Sequence, residues 1–298
     1  MLRMPIPSIV LVASLAGAFP AGAQLTTGDG LLVSTQWLSQ HQHDKDLVIL
    51  QVGPEPGYRK EHIAGSRFVK LSSISTPFQA GTLSLEMPPD ATLRTTLEQL
   101  GISDRSRIVV VFDSGWVTPS ARVFLTLGYA GLSDRAGYLD GGLTEWRKAG
   151  LPLTADTVAA VPGHLTRPFV KAVIVDHDYV AAVTRNVHAR LLDARSPESF
   201  VHAAGGQESP GHIPGAANVP WGTLFDQNTD KLLDKATLEQ KFRAAGVQPG
   251  DTVVGYCHVG QYATAMLLAA RVLGHPVHLY DGSFQDWTMR KLPTEGGK

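Results

Sequence analysis

Cys257 is the only cysteine in 298 residues, and its neighbours give it chemical interest. Val253-Val254-Gly255-Tyr256 leads into it, and His258-Val259-Gly260-Gln261-Tyr262 follows. The stretch from Ala263 to Leu273 then has apolar residues at helical spacing and stops at Gly274. That pattern reads as a buried strand, a tight loop and a helix, with Cys257 at the strand's end. The backbone N–H groups of such a loop have no intrahelical partner, and they sit at the positive end of a helix dipole. Such a place holds anions and lowers a thiol's pKa, which makes the nucleophilic thiolate available. Gly260 lets the backbone curl, and His258 adds a titratable positive charge. A buried structural cysteine is the plain alternative, because free Cys is among the most buried residue types.

A nucleophile in this setting needs a rigid frame, and the chain spells one twice. In the first half, Ser34-Thr35-Gln36-Trp37-Leu38 reads as a capped short helix, Leu47 to Val52 as a buried strand, and His62-Ile63-Ala64-Gly65-Ser66 as a turn. A helix from about Asp90 to Leu100 ends at Gly101. Arg107 to Phe112 is a second strand, Ala121 to Leu127 is helical up to Gly128, and Tyr138-Leu139-Asp140-Gly141-Gly142 opens the helix bearing Trp146. The second half answers in the same order. Ala189 to Leu192 leads into Asp193-Ala194-Arg195, and Gly211-His212-Ile213-Pro214-Gly215-Ala216 repeats the turn. Thr237-Leu238-Glu239-Gln240 has capping-box spacing before Gly246, and Tyr280-Asp281-Gly282-Ser283-Phe284-Gln285-Asp286-Trp287 closes the series. An α/β domain has been duplicated with loops of unequal length, joined through Thr154 to about Arg167. Aligning Val-Val-Val-Phe-Asp113 with Val-Val-Gly-Tyr-Cys257 sets Asp113 against the cysteine. It also makes the first copy's Trp116- and Pro119-bearing loop the shorter by about two residues. A carboxylate is no sulfur nucleophile, so the first copy reads as a scaffold.

Hydrophobic content of 43% with 18% charged residues is that of a globular protein, and a formal net charge of −1 gives no reason to expect a nucleic-acid partner. Residues 1–23 read as a signal peptide: Arg3 is a short positive start, Ile9 to Phe19 an apolar core too short to span a bilayer, and Ala21-Gly22-Ala23 a small-residue cleavage site before Gln24. Its removal takes one basic residue and no acid from 26 Lys+Arg and 27 Asp+Glu, which leaves net −2 and no membrane span. An uncleaved anchor is the alternative. The expected destination is a bacterial periplasm, an oxidising compartment in which a lone thiol cannot form an internal disulfide.

Taken together these marks resemble the tandem-domain rhodaneses, the sulfurtransferase family, over essentially the whole chain after the leader. The carriers are Leu-Leu-Asp193-Ala-Arg195, Gly211 to Pro220, the Cys257 loop and Tyr280 to Trp287. The resemblance implies an α/β protein of two rhodanese-like domains, each a mostly parallel sheet flanked by helices. Residues 24–157 would form a non-catalytic domain and 158–298 the catalytic one. It further implies that the Cys257 thiolate takes the outer sulfur of a small anionic donor such as thiosulfate as a persulfide. Cyanide or a thiol, a protein thiol included, then accepts it, with no cofactor. Substrate-binding positions follow: Arg195, whose guanidinium suits an oxygen pair, and the loop residues His258, Val259, Gly260, Gln261 and Tyr262.

The single residues also have plainer readings. Arg195 is read either as that ligand or as an ordinary ion pair at a strand end. Asp193 is expected to bind local backbone amides and His212 to hold its turn. Tyr262 either walls the pocket or packs under the helix, and Trp221 and Trp116 read as core or interface. No histidine set has metal-ligand spacing, so no metal is expected. Related 3-mercaptopyruvate enzymes carry a loop resembling Cys-Gly-Ser-Gly, and Val259 lacks that hydroxyl, which sets mercaptopyruvate behind thiosulfate as donor. Yet His258-Val259 is not the Arg-Lys of familiar thiosulfate enzymes either. A phosphatase use of the loop is excluded, since no arginine occurs between Cys257 and Arg271. A periplasmic sulfur carrier without turnover is the reading from another class.

Overall fold

The computed structural model describes residues 30–183, 186, 188–201 and 211–296. The leader reading of residues 1–23 lies outside them, as does the rest of the segment before Gly30. No helix among the described residues is long and apolar enough to cross a membrane.

Five short runs in each half build a five-stranded sheet. The first contains β1 (Leu32–Val33), β2 (Leu47–Val52), β3 (Arg67–Phe68), β4 (Arg107–Phe112) and β5 (Ala136–Leu139), in the order β1-β5-β4-β2-β3. The second contains β6 (Ile174–Val175), β7 (Ala189–Asp193), β8 (Ala217–Asn218), β9 (Thr252–Tyr256) and β10 (Val277–Tyr280), in the order β6-β10-β9-β7-β8. Every pairing is parallel. This explains why the central strands read as unbroken apolar runs. Parallel sheets are covered on both faces, so Val109, Val110 and Val111 are all buried.

The helices are α1 (Thr35–His41), α2 (Glu55–Lys60), α3 (Asp90–Gln99), α4 (Val117–Tyr129) and α5 (Gly142–Lys148) in the first half. In the second they are α6 (His177–Val183), α7 (Pro197–Phe200), α8 (Lys235–Ala244), α9 (Gln261–Val272) and α10 (Ser283–Met289). Ser34 caps α1 as expected, its hydroxyl accepting from the Trp37 N–H. The cap of α8 differs from expectation. Asp234, three residues before Thr237, accepts from both the Thr237 N–H and hydroxyl, so the helix begins earlier. Likewise α4 runs beyond Ala121 to Leu127 at both ends. Gly101, Gly246 and Gly274 have left-handed φ values of 74°, 84° and 89° just past their helices, a backbone that glycine adopts without a Cβ penalty.

Helices α4 and α9 pack against each other across the two halves, and one apolar cluster runs through both. It takes Leu50, Val110, Phe112 and Phe124 from the first half and Val253, Cys257, Leu267 and Leu279 from the second. Burial of that continuous surface, worth roughly 25 cal/mol per Å² of apolar area, ties the halves together.

The sheets also correct the alignment of the two copies. Ile108, Val109 and Val110 pair with β5 as Val253, Val254 and Gly255 pair with β10. Phe112, rather than Asp113, therefore stands where Cys257 stands, and both lie in the shared cluster. Four residues then separate Phe112 from α4, and three separate Cys257 from α9, so the first copy's loop is the longer one.

Candidate active site

Cys257 leaves the C-terminal end of β9 in the middle of its sheet, where ligands of open α/β sheets are commonly bound. The loop is held from below. The Cys257 N–H donates to the Ser283 hydroxyl at 3.2 Å, and that hydroxyl donates to the Tyr280 carbonyl at 2.8 Å. The carbonyls of Cys257 and His258 accept from the N–H groups of Phe284 and Gln285, both at 3.0 Å, in the first turn of α10. With the carbonyls taken up on that side, the loop turns its N–H groups the other way. Those of Val259, Tyr262 and Ala263 face the Cys257 sulfur and favour its anionic form. Gly260 makes the turn possible with φ of 83° at the N-terminus of the twelve-residue α9. The expected strand, tight loop and helix are all present.

The thiol itself departs from expectation. Only 1% of Cys257 is exposed, and burial pushes its pKa up; the nearby Asp193 carboxylate adds to the rise. The three N–H groups pull the other way without overcoming the lost solvation. The resting group is thus a buried thiol already facing a ready set of anion donors.

Arg195 is 6% exposed and committed to Asp193. Its Nε donates to both Asp193 oxygens at 3.0 and 2.9 Å, and its Nη2 donates to Oδ2 at 2.6 Å and to the Gly211 carbonyl at 2.8 Å. The guanidinium lies 4.0 Å from the Phe284 ring centre. The ion-pair reading is therefore present in full, and Nη1 is left without a partner among the described residues. Asp193 also accepts from the Arg195 N–H at 2.9 Å, the local backbone role foreseen for it. His258 is exposed at the loop's crest, and partial burial followed by the Arg195 charge lowers its pKa, so its imidazole is neutral over a wider range than usual.

The remaining loop residues separate by role. Val259 is half-buried. Gln261 turns its side chain to the other half, where Nε2 donates to the Thr118 hydroxyl at 3.1 Å; only its backbone remains available to the site. Tyr262 is 46% exposed, with its ring 5.6 Å from Trp221, so these two aromatic rings stand side by side at the rim. Trp221 packs against the shared apolar cluster, in keeping with its core or interface reading, and its half-exposed ring also stands beside Tyr262. Ser283 was passed over as a site residue. Its signal was a small hydroxyl residue following Asp281-Gly282 at a position with φ of 53°.

His212 lies elsewhere. It stacks on Phe200 at 3.7 Å and its Nδ1 bonds the Phe200 carbonyl at 2.9 Å, which fixes the turn. Among the described residues no group of three or more His, Cys, Asp or Glu is placed to hold a metal. A cavity of about 210 Å³ between α4 and α9, with Phe124, Leu267 and Arg271 in its walls, includes no residue of the Cys257 loop.

Comparison with known proteins follows the same outline. The model of the rhodanese-like domain matches twice, at residues 34–149 and 177–290. The chain is 28% identical to a 3-mercaptopyruvate sulfurtransferase of Escherichia coli K12 over 279 residues, 88% of this chain and 97% of that one. It is 32% identical to a putative thiosulfate sulfurtransferase of Mycobacterium tuberculosis H37Rv over 246 residues, 78% of this chain and 81% of that one. Among solved structures, the E. coli 3-mercaptopyruvate enzyme superposes with a TM-score of 0.73 at 26% identity, covering 85% of this chain and 98% of the other. Two domain matches, a thiol on an N–H fan in the second and similarity along the chain place it in the rhodanese family, as a tandem-domain sulfurtransferase.

Proposed function

We propose that the chain moves a sulfane sulfur from thiosulfate to a nucleophilic acceptor through a persulfide on Cys257. The observation carrying this reading is the sulfur with three backbone N–H groups directed at it, at the start of α9. In the first step the thiol gives up its proton, and the thiolate attacks the outer sulfur of thiosulfate. The Cys257 S–S bond forms as the donor's S–S bond breaks, and sulfite leaves with the electron pair. In the second step cyanide attacks the terminal sulfur, thiocyanate leaves and the thiolate returns; a thiol acceptor leaves instead as its own persulfide. The negative charge on the sulfur is carried by the N–H groups that already face it, so little reorganisation is needed at the moment of reaction. Arg195 Nη1 and the rim of Tyr262 and Trp221 give the donor's anionic end a place. The first domain, with Phe112 in the nucleophile's position, serves as the non-catalytic scaffold.

Val259 puts thiosulfate first, because it brings no hydroxyl to the loop. The E. coli relative favours 3-mercaptopyruvate as a second donor, which the same thiolate attacks with pyruvate as the leaving group. Thiocyanate production with the two donors under identical cyanide decides between them. Faster turnover with thiosulfate supports the leading reading, faster turnover with mercaptopyruvate replaces it, and persulfide formation without turnover makes the chain a sulfur carrier. Export after cleavage behind Ala23 belongs to the same proposal, and the N-terminal residue of the protein recovered from a periplasmic extract tests it.

A further inference from the structure

Beneath Gly260 lies a buried charged pair that joins the two halves. Arg122, from the middle of α4, is 1% exposed and binds the Asp281 carboxylate with both terminal nitrogens, Nη2 to Oδ2 at 3.2 Å. Asp281 follows β10 in the second domain and is 4% exposed. The same carboxylate accepts from the Met87 N–H at 2.6 Å, and Arg122 Nη2 donates to the Leu85 carbonyl at 2.8 Å. Gly260 rests on this pair. A Cβ there would lie 2.7 Å from the Asp281 carbonyl oxygen, 3.0 Å from its Oδ1 and 3.5 Å from Arg122 Nη1.

Two observations argue that the pair is kept for the loop rather than for the fold. First, Arg122 Nε is buried with no hydrogen-bond partner among the described residues, so the arrangement is costly for stability alone. Buried ion pairs are often matched by apolar side chains of the same size. Second, the molecule's internal repeat supplies a control. Asp140 occupies the place of Asp281, its carboxylate accepting from the Leu232 N–H as Asp281 accepts from that of Met87. Matching the left-handed glycines after the two helices, Gly131 and Gly274, sets Ala265 of α9 where α4 has Arg122. Asp140 has only the half-exposed Lys231 at 3.9 Å. Among the described residues, the arginine paired with this aspartate and fully buried stands on the side of the reactive cysteine.

We propose that Arg122 is a positioning residue for the Cys257 loop. It fixes Asp281 as the floor under Gly260 and cancels a carboxylate that would otherwise oppose the thiolate. The first domain thereby contributes to the second domain's chemistry without touching the substrate. The other charged and titratable groups facing the loop are Asp193 and Arg195 at the end of β7 and His258 within it. Glu86, on the crossing segment, faces Asp281.

This inference rests on the sulfurtransferase reading only for its biological meaning, because its test needs no sulfur donor. Cys257 is the only cysteine, so alkylation by iodoacetamide across pH reports the thiolate directly. Arg122→Leu leaves Asp281 uncompensated, and it should raise the pH midpoint of alkylation by about one unit, a tenfold slower reaction at neutral pH. Asp281→Asn keeps an acceptor for the Met87 N–H, leaves the arginine positive and should lower the midpoint. Arg122→Leu/Asp281→Leu removes both charges and should return the midpoint toward that of the parent protein. Opposite-signed shifts from the two single variants are the expected result. Lower melting temperatures with one unchanged alkylation profile would reduce Arg122 to an ordinary interface residue and overturn the proposal. Should Arg122→Leu not fold, the direction of the Asp281→Asn shift decides. A failed donor assay beside these shifts counts against the sulfur-transfer reading alone.

Discussion

The loop after β4 and the loop after β9 start from the same place in their sheets, yet each treats an anion differently. After β9 the loop closes on a thiol: the N–H groups of Val259, Tyr262 and Ala263 point at Cys257 sulfur, and Gly260 lies on the Arg122–Asp281 pair. After β4 the thiol's place holds Phe112, and the loop's polar groups are already occupied. Asp113 accepts from its neighbour Ser114 N–H at 3.0 Å and meets Arg147 at 3.2 Å. The Gly115 N–H donates 3.0 Å to the carboxylate of Asp230, which comes from the second domain. Asp230 stands two residues before Leu232, as Leu85 stands two residues before Met87, and both backbones are left-handed, with φ of 55° and 58°. The segments that cross between the halves, around Leu85 and around Asp230, thus share a backbone turn and differ in their side chains, the difference that bears on the loops being Leu85 against Asp230. An acid fills the first loop, and a leucine leaves the second without an internal anion. A duplicated fold has become one filled loop and one open one through changes on both sides of the domain boundary.

The largest effect is expected from removing the thiol. Cys257→Ser should lower cyanide-dependent transfer by at least about three orders of magnitude, as losses of a covalent nucleophile do, with an unchanged circular dichroism spectrum. Mass spectrometry after thiosulfate treatment should find the gain of one sulfur in the parent protein and none in the variant. Activity retained in Cys257→Ser would end the covalent mechanism.

The same substitution at two glycines sharpens the comparison. Gly260→Ala meets both a left-handed backbone and the Asp281 carbonyl at 2.7 Å, whereas at Gly115, φ 74°, an added Cβ meets nothing within 4 Å. Gly115→Ala should therefore cost only the conformational penalty, about 1 to 2 kcal/mol by thermal denaturation, with activity intact. Gly260→Ala should cost more and slow alkylation of Cys257 by about tenfold or more, because the N–H fan must shift. Equal effects at the two sites would mean that the floor under Gly260 is of no consequence.

Arg195 is expected to act through two losses at once. Arg195→Ala takes the partner from Asp193, which is 0% exposed, and breaking a buried pair in this way costs about 3 to 5 kcal/mol. The KM for an anionic donor should rise as well, by about tenfold for one lost charged hydrogen bond. A stability loss with an unchanged KM would restrict Arg195 to holding Asp193. The pH dependence follows from the thiol. Its pKa is raised by burial, so below that pKa the thiolate fraction and the alkylation rate should climb about tenfold per pH unit. The folded state favours the protonated form. Its stabilisation is present below the unfolded thiol's pKa and is lost as pH rises through the folded one. A flat alkylation rate between about pH 7 and 9 would show that the N–H groups outweigh burial after all.

Much of this was open to reading in the chain because its signals are local. Glycines past helix ends, β-branched runs and a lone cysteine before a glycine-bearing loop each imply their geometry within a few residues. The register of the two copies was not readable to within one residue. Strands buried on both faces lack the alternation that would tell inward from outward, so Val-Val-Val-Phe aligned equally well with Val-Val-Gly-Tyr in the shifted frame. The direction of the thiol's shift depends on how deep Cys257 sits, a property of packing that spacing does not carry. Arg122 has no distinguishing mark within the Ala121–Leu127 stretch, and Gln261 reads as a substrate contact. Only the packing of α4 on α9 turns the first toward Asp281 and the second toward Thr118.

The smallest expected effects come from the side chains on the two crossing segments. Asp230→Leu removes the acid from the first loop, where Ser114 and Gly115 are exposed, so water replaces the lost hydrogen bond. Stability should change by no more than about 0.5 kcal/mol and donor turnover not at all. Amide hydrogen exchange should quicken at Gly115, which locates the change. Leu85→Asp makes the reverse alteration on the other side and sets a carboxylate near the open loop. In a solvated setting such a charge is worth about 0.5 kcal/mol, so the KM for thiosulfate should rise about twofold at low salt. The rise should fade as ionic strength shortens the Debye length to below about 10 Å. A KM indifferent to salt in Leu85→Asp would mean that the crossing segment does not reach the electrostatic field of the Cys257 loop. The openness of that loop would then rest on the loop's own backbone and on Arg122 beneath it.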